Sequence, residues 1–154
     1  MTTPTITVGE AINLINDSIL NFEDGLPQDI IDTITFAVNN EIQVRDYFLG
    51  MPDTYSLDTC LSFVKYLGSS VSDTDIHALA TIASAYEYEN GNMATAMILL
   101  ASVLEMKSDY PLANLLQRVT QAGWPASSFA EMRKELHPQV VKSLEEIKDQ
   151  LIEA

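Results

Sequence analysis

The stretch NMATAMILLASVLEM, from Asn92 to Met106, constrains the fold of this chain more than any other. It lies between Gly91 and Pro111, residues of the kind that punctuate helix ends. Only Thr95, Ser102 and Glu105 interrupt its apolar surface. A helix that is apolar nearly all round is normally covered on every side. The spacing therefore predicts a central core helix over Asn92–Met106, with Ala94, Ala96 and Ala101 small enough to let neighbouring helices approach closely.

Such a helix needs partners, and helical spacing recurs along the chain without convincing strand alternation. Thr7 can cap a first helix to about Asn21, with Ala11, Ile12, Ile15, Ile19 and Leu20 as its stripe. Pro27 suits the first turn of a second helix carrying Ile30, Ile31, Ile34 and Val38. A short helix from Glu41 to Leu49 ends at GMPD, and Ser56 or Asp58 opens another with Leu57, Leu61, Val64 and Leu67 inward. Ser72 with Asp75 resembles a capping box for a helix reaching Glu89. Pro111 starts a helix with Leu112, Leu115, Leu116 and Val119 on one side, which AGWP terminates. Ser128 with Glu131 makes a capping box for a short helix to Leu136, and Pro138 begins a final one. The expectation is an all-α fold, a compact bundle of about eight short helices around a buried central helix. One domain spans 1–154, with a core at about 28–130 and a C-terminal amphipathic helix at about 138–154.

Val140, Leu144, Ile147 and Leu151 step by four, three and four along that last helix, a heptad-like seam. Two heptads are too short to stand alone, so the seam must dock. Docking on the body is expected, which favours a monomer; a homodimer through this helix is the alternative.

The segment Leu79–Ala113 is similar to a tetratricopeptide helical hairpin. It has AYEYENGN at the turn, Ala96 at the small packing position and a terminal proline. A true array would recur every ~34 residues, and neither Leu57 nor Pro125, one period away, stands in a suitable turn. So one hairpin and no repeat array is expected. Over residues 28–130 the chain resembles the C-terminal helical half of an actinobacterial and actinophage family, domain of unknown function 4192. The motifs are RDYFL at Arg45–Leu49, NGNMATAMILLASVLEM, SDYPLANLL and AGWPASS. Asn90–Asn92 departs from the family's Gly-Asp-Gly, and the larger N-terminal half of that family is missing. The resemblance implies a helical fold and no assigned chemistry.

Charge narrows the function classes. The net charge is −14, and residues 1–106 hold 15 acids against only Arg45 and Lys65. Such a field repels nucleic-acid phosphates and anionic headgroups, so no direct nucleic acid and no membrane binding are expected. A single cysteine, Cys60, precludes an internal disulfide, and MTTPTITVGE lacks a basic stretch leading into an apolar one. A cytoplasmic protein is expected.

No catalytic or cofactor motif is present; GNMA lacks the lysine of a phosphate-binding loop. Asp73 and His77 stand four apart, and Glu87, Glu89 or His137 could add metal ligands, but a solvated surface pair is the simpler reading. Cys60, among Leu57, Leu61 and Val64, reads as a small buried hydrophobe. No cofactor, no metal and no enzymatic activity are expected. What remains is the expectation of an acidic helical module that binds a basic protein partner, a small phage or actinobacterial regulator. The alternative is a nucleic-acid-mimicking inhibitor of a host or defence enzyme. The candidate partner-binding residues are Glu23, Asp24, Asp29 and Asp32 at the first interhelical connection, and Asp73, Asp75, Glu87 and Glu89 around the core hairpin. Tyr110 and Trp124 join them as aromatics with polar handles.

Overall fold

A computed structural model describes residues 4–154. Among these the helices are α1 (Val8–Asn21), α2 (Gln28–Asn40), α3 (Ile42–Leu49), α4 (Leu57–Gly68), α5 (His77–Glu89), α6 (Met93–Met106), α7 (Pro111–Gln121) and α8 (Ala126–Ile147). The only β pairing among the described residues is an isolated bridge between Thr7 and Leu151. The architecture is therefore an all-α bundle of eight helices.

Local chemistry accounts for several boundaries. The Thr7 hydroxyl accepts from the Glu10 N–H at 3.2 Å, and the Glu10 carboxylate accepts from the Thr7 N–H at 3.0 Å. This reciprocal pair starts α1 and holds the Glu10 carboxyl below its usual range, chiefly through the Thr7 backbone N–H. The Ser56 hydroxyl accepts from the Thr59 N–H at 3.1 Å and starts α4. Pro111 opens α7, where its missing N–H costs nothing.

The central helix is α5, not the segment Asn92–Met106. Residues Thr81 to Tyr88 are all buried, and α5 packs against α2, α3, α4, α6, α7 and α8. On one side Ala78, Leu79, Ile82, Ala83 and Tyr86 join the main core built from α1 to α4. On the other, Ala85 and Tyr88 join a second core with Leu100, Val103, Leu112, Leu116 and Phe129. The helix tolerates burial because its hydroxyls bond locally: Thr81 Oγ1 donates to the His77 carbonyl and Ser84 Oγ to the Thr81 carbonyl, both at 2.7 Å. Small side chains at 78, 80, 81, 83, 84 and 85 let neighbours crowd it from both sides.

Helix α6, though richer in apolar residues, sits at the end of the bundle and packs substantially only on α5 and α7. Ala96, Leu100 and Val103 are buried, whereas Met97 is 48% and Ile98 67% exposed. The expectation of burial all round fails because chain order leaves no third helix to cover the far side.

Two more expectations are corrected. Ser72 and Asp75 do not cap α5: Ser72 Oγ donates to Asp75 Oδ2 at 3.0 Å within the preceding turn, and the helix begins at His77 without a side-chain cap. The short helix to Leu136 and the separate helix from Pro138 are one element, α8, which follows Pro125 directly and contains Pro138 in its interior. Proline removes one rung of the helix ladder there, and packing against α1, α3 and α5 holds the rest.

The C-terminal seam docks on the body. Leu144 is buried, and Val140 and Ile147 pack against the main core. The chain then turns, so Leu151 is 58% exposed and Ile152 takes the inward place at 5%. The tail's Gln150 and Lys148 carbonyls accept from the Val8 and Gly9 N–H groups at 2.9 and 2.8 Å, satisfying donors that a helix start leaves free. Gly9 eases this approach, since a Cβ there would stand 3.1 Å from the Lys148 carbonyl oxygen, close enough that the tail would have to shift slightly.

Candidate functional site

The ten predicted binding residues are divided by the fold. Asp29 and Asp32 lie on α2, and Asp75 lies in the connection before α5; together they line an open groove of ≈ 840 Å³. Asp73 is exposed on the same connection but is not part of the groove wall. Glu23 and Asp24 are exposed in a 3-10 turn after α1, also outside it.

Glu87 and Glu89 are engaged within the chain. Glu87 is 3% exposed, paired with Lys65 Nζ at 3.4 Å, and accepts from Asn92 Nδ2 at 3.2 Å. Glu89 is bound by Arg133 through both oxygens, with Arg133 Nε at 3.1 Å. The same guanidinium binds Asp53. Both carboxylates hold elements together. Helical spacing alone did not reveal this, because the cations come from α4 and α8.

The two aromatics also separate. Tyr110 packs its ring edge-on against His77, centroids 5.1 Å apart. Trp124 is 41% exposed, and its carbonyl accepts from the Tyr88 hydroxyl.

The groove is built by polar links between α2 and the connection 69–76. Gln28 Nε2 donates to Asp32 Oδ1 and to the Ser70 carbonyl, each at 2.9 Å. Asn39 Nδ2 donates to the Asp75 carbonyl at 2.7 Å. Asn39 Oδ1 and His77 Nδ1 are enclosed polar atoms with no partner among the described residues. Burial lowers the His77 pKa, the Lys107 charge lowers it further, and Asp75 opposes them. Its imidazole is thus neutral at pH 7. Among the described residues Lys107 is the only Lys or Arg on the groove wall.

Gln28, Asn39 and Lys107 were not singled out from sequence, and His77 was weighed only as a metal ligand and set aside as half of a surface pair. The polar run SSVSDTD, residues 69–75, was the available signal, since it marks a solvated loop that must lie over some helix.

Chemically, the groove offers three carboxylates, amide and hydroxyl acceptors and one ammonium. It can attract and hydrogen-bond a cationic group. Among the described residues no group of three or more His, Cys, Asp and Glu side chains converges as a metal site. Asp73, before α5, and His77, at its start, are not on one helical face. Cys60 is fully buried and its thiol is pushed up to about 12, chiefly by burial. No helix is long and apolar enough to cross a membrane among the described residues.

The fold and groove define a class: an all-α bundle with an acidic surface groove. No protein-family model, curated protein or solved structure matches the chain.

Proposed function

We propose that this chain is a non-enzymatic, cytoplasmic interaction module that receives a basic protein segment in the groove between α2 and the connection 69–76. One observation supports the reading: Asp29, Asp32 and Asp75 line the groove, with Lys107 as the one Lys or Arg among the described residues there. Around them the chain carries −14, a field that steers positive partners and raises their on-rate at low salt. The hydrogen-bond acceptors along the groove suit the donors of arginine and lysine side chains. The resemblance to the domain-of-unknown-function family supplies no chemistry, so the proposal does not rest on it.

The test uses defined peptides. Fluorescence anisotropy compares a labelled arginine- and lysine-rich peptide with an acidic one of equal length, at low and physiological salt. The basic peptide should bind, and more weakly as salt rises. Reversing Asp29, Asp32 and Asp75 to Lys should abolish that binding while leaving the helical spectrum intact. Reversing Glu23 and Asp24, which lie outside the groove, should weaken it far less. Equal loss from both variants would show that the groove has no special part and that only net charge matters.

A further inference from the structure

The exposed side of α6 is the least expected surface of this molecule, and it is built to match itself. Ala94, Met97, Ile98, Ala101 and Glu105 recur at three- and four-residue steps and are all exposed. They form one stripe along the helix. Met93 and Met106, 41% and 47% exposed, extend the apolar surface at its two ends.

We propose that this stripe is a homodimer interface, in which α6 pairs antiparallel with α6 of a second copy. A two-fold axis midway between Ile98 and Ala101 sets each Ile98 against Ala101 of the other chain. The same axis brings each Glu105 beside Ala94 of the other chain. The large side chain thus meets the small one at both central positions, the self-complementarity that an isologous contact needs. Short alanine side chains let the two helix axes come close.

Glu105 gains from the arrangement. In its own helix it sits in the last turn, where the dipole disfavours an anion. Across the axis it lies at the first turn of the partner helix, where anions are favoured. No side chain caps that turn; Asn92 Nδ2 donates to Glu87 Oε1, and its Oδ1 accepts from no first-turn N–H.

Charge points to a second copy. In a chain of net −14, residues 90–125 carry Glu105 and Asp109 against Lys107 and Arg118, a balance of zero. This hairpin is where two acidic copies can meet with least repulsion. Met93, Met97, Ile98 and Met106, 41%, 48%, 67% and 47% exposed, supply apolar area to such a contact, though one helix stripe is small against the ~1,200–2,000 Å² buried in a stable specific interface. The dimer should accordingly be a weak, concentration-dependent one. It is independent of the basic-segment proposal, since none of the stripe residues lines the groove.

Sedimentation equilibrium of the full chain from about 1 to 100 µM tests the proposal. The mass should rise with concentration from 17.0 kDa towards twice that value. Ile98→Asp should hold the mass at the monomer value throughout, with a dilute-solution melt like that of the wild type because residue 98 is 67% exposed. Glu105→Lys should weaken association at least tenfold. Leu20→Asp, at a 71% exposed site on α1, should leave it unchanged. A wild type that stays monomeric at the highest concentration overturns the proposal, as does dimerisation that survives Ile98→Asp or is lost equally in Leu20→Asp.

Discussion

Arg133 joins carboxylates from two separate parts of the fold, and replacing it with Met should expose its role. Its side chain is 7% exposed and spans two carboxylates, Glu89 at 9% and Asp53 at 20%. Methionine keeps the apolar stem packed between α8 and α5 but removes the cation. Asp53, on the turn after α3, can turn towards water. Glu89 is enclosed and cannot, so its charge is left buried without a partner. Breaking such a pair typically costs about 3–5 kcal/mol. For a domain of this size that corresponds to a fall in Tm of roughly 6–20 °C. Adding Glu89→Gln removes the stranded charge and should recover about 2 kcal/mol of the loss. Asp53→Asn alone should cost under about 1 kcal/mol. Urea unfolding followed by far-ultraviolet circular dichroism measures all four proteins. If the double variant is no more stable than Arg133→Met, the cost lies in lost packing and the stranded-carboxylate argument is refuted.

Two further outcomes follow from the same structure. Deleting residues 148–154 removes the buried Ile152 side chain and the carbonyls that satisfy the start of α1. It should cost about 2–4 kcal/mol in a thermal melt, and an unchanged melt would mean the tail does not dock. His77 and His137 each have an enclosed, unpartnered Nδ1, and burial is the main cause lowering both pKa values. A depressed folded pKa means the unfolded chain takes up protons first. The stability of the neutral forms is full above the unfolded value of about 6.5 and is lost as pH falls towards the folded values. Between about pH 7 and pH 5 the wild type should therefore lose more stability than His77→Gln/His137→Gln; parallel losses would contradict this account.

Much of the candidate groove lay beyond the reach of periodicity. From sequence, Asp29 and Asp32 belong to the first interhelical connection and Asp75 to a capping box with Ser72, two separate places. Their meeting depends on Gln28 and Asn39 reaching across to the backbone of residues 70 and 75. Such links join positions 42 and 36 apart in sequence, so nothing local announces them. Glu87 and Glu89 show the opposite failure. They look like surface carboxylates because charged side chains usually are exposed, until Lys65 and Arg133 arrive from elsewhere in the chain.

What the sequence by itself determined was the all-α class and most helix boundaries. Thr7, Ser56 and Pro111 act on backbone groups within one turn, and glycine and proline interrupt the chain wherever they stand. Burial was decided only by the tertiary structure. The apolar composition of α6 states what that helix would gain from being covered, not whether another helix is there to cover it. Helix α5 became the centre because small side chains and self-satisfied hydroxyls let six neighbours pack on it. Helix α6, placed at the end of the bundle by chain order, kept one side exposed. Hydrophobicity is a property of a residue; burial belongs to its neighbours, and those are set by topology.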